Sequence, residues 1–257
     1  MSLKLDSPEQ TANTIVKFLQ QTFREQNKTC AVIAVSGGID SALSLALLAQ
    51  ALPANQITTL FLPYGDQSTD DAEQMAEFLN IPKENRRKLN IQPIVDAVET
   101  QLILGDKDHH RKGNIMARAR MILIYDTAKE LDALVCGTEN KSEHFLGYYT
   151  RFGDAASDIE PIAHLYKTNV RQMAEYLAFP PQFLAKAPSA GLWHDQTDES
   201  EMGFSYEVAD QVLYQLVDEH KDPEQITVPG VTTDTVKAVI QQVKNNRFKF
   251  HVPYVME

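Results

Sequence analysis

Six residues, Ser36-Gly37-Gly38-Ile39-Asp40-Ser41, carry the densest local chemistry of the sequence. Glycine removes bulk where a backbone must turn sharply and reaches conformations other residues avoid. The preceding run, Cys30 to Val35, is apolar and β-branched and reads as a buried strand. The following run, Ala42 to Ala51, consists of strong helix formers. Strand, glycine turn and helix N-terminus together present backbone N–H groups and a positive dipole end to an anion. Neither Gly-x-x-x-x-Gly-Lys-Ser/Thr nor Gly-x-Gly-x-x-Gly occurs here, and Asp40 stands where the first of these has lysine. A carboxylate beside a phosphate needs a cation between them, which points to Mg2+. The alternative is a plain turn in which Asp40 complements the helix dipole.

The elements that must hold this turn follow from periodicity. Ser7-Pro8 opens a first helix whose apolar face is Ile15, Phe18, Leu19 and Phe23. Ile57 to Leu62 is a second strand, ending in Pro63-Tyr64-Gly65-Asp66-Gln67, and Ser68 to Asp71 opens a helix carrying Ala72, Met75, Ala76 and Leu79. Arg87 to Ile91 is a short third strand, and Pro93 starts a helix over Ile94 to Leu104. Gly105 to Lys112, with His109-His110, is a charged loop, and Gly113-Asn114 opens a long helix from about Ile115 to Leu131. Ala133 to Gly137 is the fourth strand. Thr138 to Asp158 reads as a long functional loop, followed by helices over Thr168–Ala178, Ser205–Glu219 and Thr232–Asn246, with a loop from Ala187 to Ser200. Strands alternating with helices predict an α/β fold, a doubly wound parallel sheet with helices on both faces. The polar turns after the first, second and fourth strands should line one site.

The chain has 257 residues, 43% of them hydrophobic, enough for one α/β domain over residues 1–257. A net charge of −11 argues against non-specific nucleic-acid binding, so an anionic substrate must be met by local basic groups or metal. Cys30 and Cys136 lie in strand-like runs and read as buried thiols without a disulfide. No basic-then-apolar leader opens the sequence, and the stretch around Ala42 to Leu52 is too short to span a bilayer, so the expectation is a cytoplasmic protein with no membrane partner.

The glycine turn resembles the pyrophosphate loop of enzymes that split ATP into AMP and pyrophosphate. Further strings sharpen the likeness: Gly113-Asn-Ile-Met-Ala-Arg-Ala-Arg-Met121, Gly137-Thr-Glu-Asn-Lys-Ser-Glu143, Gly147-Tyr-Tyr-Thr-Arg-Phe-Gly-Asp154, Leu165-Tyr-Lys-Thr168 and Pro188 to Glu201. In this order they resemble the ammonia-dependent NAD synthetases, from the first helix to the tail. The resemblance implies a homodimer with a sheet of the adenine nucleotide hydrolase type. It implies that ATP adenylates the nicotinate carboxylate of deamido-NAD and that ammonia then displaces AMP, the last step of NAD biosynthesis.

By the same resemblance, Ser36, Gly37, Gly38, Ile39, Asp40 and Ser41 cradle the pyrophosphate. Asp40 and Glu143 hold Mg2+. Gln67, Thr138 and Ser189 touch the adenosine half of ATP, and Lys167 pairs with its phosphates. Arg118, Tyr125, Arg151, Asp154, Asp158, Phe248 and Lys249 match deamido-NAD positions. Asp154 and Glu201, with Lys167, form the catalytic set, the two carboxylates drawing in ammonium and taking its proton. Read without the family, the alternatives are a loop acid for Glu143, a surface lysine for Lys167, a core aromatic for Tyr125 and structural ion pairs for Arg118 and Arg120. Trp193 reads as a packing residue, and His194 lacks metal-ligand spacing to another histidine. Phe61 and Phe250 replace basic residues usual in the family.

Other pyrophosphate-loop enzymes, such as tRNA-modifying ligases or the ATPase part of GMP synthetase, lack the Gly147–Asp154 string. A non-catalytic adenine-nucleotide module would not need Asp40 with Glu143. The helix from Ile115 to Leu131 is apolar on more than one face, so a partner copy is expected to cover one of them. With one helix before the glycine turn and two after Glu201, the expected nitrogen source is free ammonia and not glutamine.

Overall fold

The computed structural model describes residues 3–105, 108–189, 191–192 and 196–256. Helix α1 (Pro8–Glu25) starts where Ser7 Oγ accepts the Gln10 N–H at 3.2 Å. Its buried stripe is Ala12, Ile15, Leu19 and Phe23. Phe18, expected on that stripe, is exposed, because Leu19 takes the inward position one residue on. Strand β1 (Cys30–Ala34) leads into α2 (Ile39–Ala51), which packs on β1 and is covered by α1 and α7 (Lys167–Tyr176). Leu43, Leu45, Leu47 and Leu48 of α2 are all fully buried, and truncating any one to alanine costs about 2–5 kcal/mol.

Strands β2 (Ile57–Phe61), β3 (Arg86–Lys88) and β4 (Ala133–Cys136) join β1 in one parallel sheet of order β3-β2-β1-β4. Ala31 sits opposite Ile57 on one side and Leu134 on the other. The chain therefore runs outward from β1 in both directions, and the switch point falls between β1 and β4. Helices α3 (Asp70–Phe78), α4 (Gln92–Leu102), α5 (His109–Glu130), α6 (Lys141–Leu146), α8 (Pro181–Ala185), α9 (Asp198–Met202), α10 (Tyr206–Leu213) and α11 (Thr233–Asn246) complete the order. One apolar cluster joins α1, α2, α7 and α8 to one sheet face, and a second joins α4 and α5 to the other. A third holds α6, α10 and α11 together. The doubly wound α/β expectation is met.

Several boundaries differ from the sequence reading. β3 is shorter, although Leu89 and Ile91 still donate to Phe61 and Pro63 carbonyls at 2.9 Å. α5 starts at His109, not beyond Gly113, so His109-His110 belong to its first turn and not to a loop. Gly113 is no helix start. A Cβ there would lie 2.7 Å from Leu192 Cδ1, so the missing side chain lets Leu192 press on α5. The expected long loop from Thr138 contains α6, a helix too short for periodicity but marked by Asn140 and Glu143 as a capping box. The expected Ser205–Glu219 helix splits into α10 and a π-helical turn, Tyr214–Asp218. Among the described residues, no helix is long and apolar enough to cross a membrane.

Candidate active site

The glycine turn lies at the carboxyl end of β1, beside the switch point. Gly37 has φ +79°, and a Cβ on it would approach Asp71 Cβ to 2.9 Å, so glycine is required twice over. Ser41 Oγ donates to the Gly38 carbonyl at 3.0 Å and accepts the Ser36 N–H at 3.2 Å, which pins the turn. Gly38 N-caps α2 without a side-chain hydrogen bond, leaving first-turn N–H groups for an anion.

Directly below, three charged groups meet. Lys167 Nζ donates to Asp40 Oδ2 at 2.5 Å and to Glu143 Oε1 at 3.0 Å. Asn140 Nδ2 donates to Asp40 Oδ1 at 2.8 Å while its Oδ1 accepts the Glu143 N–H at 3.0 Å. One asparagine thus caps α6 and orients both acids. Two carboxylates share one ammonium. Burial pushes the Glu143 carboxyl up to about 8, against the pull of Lys167. For Lys167, whose side chain is 3% exposed, burial acts to lower the value, but Asp40 and Glu143 outweigh it and keep the ammonium charged. α7 is held by Asp210, which accepts from Ser142 Oγ and, at 2.8 Å, from the Thr168 N–H.

A cavity of about 1150 Å³ opens over this cluster, at the upper end of what one ligand fills. Ser36, Gly38, Ile39, Asp40, Ser41, Gln67, Thr138, Glu143, Asp154, Lys167, Ser189, Glu201 and Lys249 of the predicted set line it. The turns after β1, β2 and β4 all contribute. Gln67 and Ser189 brace the wall in this conformation. Gln67 Oε1 accepts the Tyr64 N–H at 2.9 Å and Nε2 donates to the Gly191 carbonyl at 2.8 Å. Ser189 Oγ donates to the Gln196 carbonyl at 2.7 Å.

The predicted ammonia carboxylates also line the cavity. Asp154 Oδ1 accepts the Thr150 N–H at 2.9 Å. Its carboxyl is reached by solvent yet crowded by protein, and burial pushes it up while that N–H opposes the shift. Glu201 Oε2 accepts from the Tyr148 hydroxyl and from Gln196 Nε2 at 2.8 Å. Arg120, left open by the sequence, makes no direct pair with an acid among the described residues. Its Nε donates to the Leu62 carbonyl at 3.0 Å, and burial lowers its guanidinium to about 10 with Asp154 opposing.

Arg118, Tyr125, Arg151, Asp158 and Phe248 lie outside the cavity lining, as does Gly37. Arg118 donates to the Arg151 carbonyl at 3.3 Å, and the Arg151 guanidinium sits 5.0 Å from the Phe248 ring centroid. Asp158 accepts the Val135 N–H at 2.8 Å and is hydrogen-bonded to Tyr125, so it also trims the edge of β4. Lys249 Nζ donates to the Gly147 carbonyl and to Tyr149 O at 3.0 Å, fastening the tail to the end of α6. Trp193 and His194 lie outside the described residues. Sequence reasoning missed Asn140, Tyr148, Lys186, Gln196 and Asp198, all wall or support residues. Of these, only Asn140 had a legible signal, the Asn-x-x-Glu spacing of a capping box.

Among the described residues, no group of three or more His, Cys, Asp or Glu could hold a metal ion. Asp40 and Glu143 are two, converging on one cation. That suits Mg2+, which takes one or two carboxylates and completes its shell with substrate phosphates and water.

A parallel sheet whose switch point opens on a glycine turn, an acid pair and a buried lysine defines an α/β enzyme of the adenine nucleotide hydrolase type. The sequence model of NAD synthase matches residues 11–253. The chain is 37% identical to the NH(3)-dependent NAD(+) synthetase of Fusobacterium nucleatum, covering 98% of this chain and 97% of that one. It is 40% identical to that of Pyrococcus furiosus, covering 93% and 92%. Among solved structures it resembles NMN synthetase from Francisella tularensis (TM-score 0.82, 31% identity, 98% and 99% covered). It also resembles an NH3-dependent NAD synthetase from Campylobacter jejuni (TM-score 0.79, 28% identity, 98% and 100% covered). The chain belongs to the NAD synthase family, ligases that form a C–N bond and use ATP.

Proposed function

We propose that this chain, as a single domain over residues 1–257 in a cytoplasmic homodimer, amidates the nicotinate carboxylate of deamido-NAD with ammonia. The reaction consumes ATP and yields NAD, AMP and pyrophosphate through an adenylated carboxylate. The observation that carries the reading is the convergence of Asp40 and Glu143 on one cation beneath a glycine turn.

The first-turn N–H groups of α2 and Ser36 to Ser41 receive the β- and γ-phosphates, and Lys167 supplies a fixed positive charge beside them. Mg2+ held by Asp40 and Glu143, when bound, neutralises the charge that grows on the leaving pyrophosphate. Thr138, Gln67 and Ser189 face the adenosine half. The substrate carboxylate oxygen attacks the α-phosphorus, and the bond from that phosphorus to the bridging oxygen breaks with its electron pair leaving on pyrophosphate. Ammonia then attacks the activated carbonyl, AMP departs with the C–O electron pair, and Asp154 or Glu201 takes the proton from nitrogen.

Arg118, Tyr125, Arg151, Asp158, Phe248 and Lys249 hold deamido-NAD beside Asp154. Those outside the cavity fit a substrate that reaches across a two-fold axis. Ile122 on α5 is 54% exposed, and a second copy would cover it. A second reading, in which the acceptor is nicotinate mononucleotide and the product NMN, has in its favour that five of these positions lie outside the cavity of one chain. The test incubates the chain with ATP, Mg2+ and ammonium chloride, offering each acceptor in turn. Faster amidation of the dinucleotide is expected, with none from glutamine alone. Efficient glutamine use after removal of ammonium, or amidation of neither acceptor, would contradict the proposal.

A further inference from the structure

Four lysine or arginine side chains line the cavity among the described residues: Arg120, Lys167, Lys186 and Lys249. Three are committed to protein groups on walls or floor, through the contacts given above. Lys186 is different. It follows α8 at the lip of the glycine turn, and its side chain is 48% exposed. Its Nζ donates to Asp71 Oδ2 at 2.5 Å and to the Gly37 carbonyl at 3.3 Å. Asp71 lies in the first turn of α3, its side chain 39% exposed, and is the residue whose Cβ presses on Gly37. A half-exposed ion pair of this kind contributes about 0–1 kcal/mol, so a phosphate can outbid it. Lys167 cannot be moved so easily, because it holds two buried carboxylates together.

Charge balance asks for such a group. Bound ATP would bring about four negative charges to a turn that already holds Asp40 and faces Asp71 of α3. Lys167 is shared with Asp40 and Glu143, so its single charge does not balance the phosphates. Lysine suits the task, being a compact charge on a flexible stem that reaches several oxygens.

We propose that Lys186 is a second phosphate-binding cation. It rests on Asp71 in this structure and transfers to the terminal phosphates of ATP, where it stabilises the departing pyrophosphate. The proposal rests on the pyrophosphate-loop reading above. It gives the Asp71–Lys186 pair a purpose: the carboxylate holds the ammonium within reach of Gly37, where pyrophosphate must leave.

Calorimetric titration of the full chain with magnesium pyrophosphate, and separately with AMP, tests it without any dinucleotide present. Lys186→Met should weaken pyrophosphate binding about ten- to a hundred-fold, the worth of a charge-assisted hydrogen bond, and leave AMP binding within about two-fold. Lys186→Arg should recover most of the loss. Asp71→Asn, which frees the lysine, should tighten pyrophosphate binding by about two- to five-fold. Steady-state assays of Lys186→Met should raise KM for ATP and lower kcat, since the contact strengthens as charge moves to the leaving group. If wild type binds pyrophosphate and Lys186→Met binds it equally well, the role of Lys186 is overturned while the loop reading stands. Equal losses in Asp71→Asn and Lys186→Met would make the pair a structural ion pair and overturn the proposal too. If wild type binds no pyrophosphate, the loop reading fails, and this one with it.

Discussion

The floor of the cavity and its outer rim are built on opposite principles. On the floor, Lys167, Asp40, Glu143 and Asn140 are buried or nearly so, and each polar atom named has a short partner. Their positions are fixed by caps and helix starts: Asn140 N-caps α6 and α7 begins at Lys167. On the rim, Arg118, Arg151 and Phe248 meet through one carbonyl contact and one cation–π contact, with Phe248 about half exposed. Preorganisation is worth most where charge develops in the transition state. A rim that must admit a large substrate has no use for the same rigidity.

That contrast can be broken experimentally, and the floor should give the largest effects. Lys167→Met removes the cation from two buried carboxylates. It should abolish pyrophosphate release and destabilise the fold by about 3–5 kcal/mol, read by urea denaturation. Normal stability in this variant would mean that the acids do not depend on Lys167. Asp40→Asn is a gentler cut, since Lys167 keeps Glu143. Pyrophosphate release should fall by about three orders of magnitude while the unfolding midpoint stays near wild type. A near-normal rate would refute the shared-cation account.

At the rim, Arg118→Ala should raise the apparent constant for deamido-NAD by about ten-fold or more, with that for ATP little changed. Equal effects on both substrates would move Arg118 from binding to structure. The smallest effect concerns Glu160, behind the site. Burial pushes its carboxyl up to about 8 from an ordinary 4.5, against hydrogen bonds from Ser157 and the Glu139 N–H. The folded state therefore holds this proton more tightly than the unfolded chain. The stability so gained is present in full below pH 4.5 and lost as pH rises through about 8. Glu160→Gln should flatten the fall of the thermal midpoint over that window by several degrees. An unchanged pH profile would show that Glu160 does not titrate there.

The two regions also differed in how far they could be read from sequence. The glycine turn was legible because Ser36 to Ser41 are contiguous, and a strand and a helix flank them with clear periodicity. Asp40 and Glu143 lie 103 residues apart in sequence and come together only through the parallel pairing of β1 with β4. Their partnership was therefore legible by resemblance and not by pattern. Asn140, which orients both acids, caps a helix too short to show a period. Gly113 misled because glycine in a helix usually marks an end, whereas here it makes room for Leu192. The Tyr148–Glu201–Gln196 contacts join residues from separate strings through side-chain reach alone, which no local propensity records.

The central claim is that the carboxylate is activated by adenylation over the Asp40–Glu143–Lys167 floor. The most direct test labels both carboxylate oxygens of deamido-NAD with oxygen-18 and follows them through a turnover with ATP and ammonium. Adenylation predicts one labelled oxygen in the phosphate of AMP and none in pyrophosphate or orthophosphate. Label in orthophosphate with ADP as co-product, or unlabelled AMP beside the amide product, would contradict it.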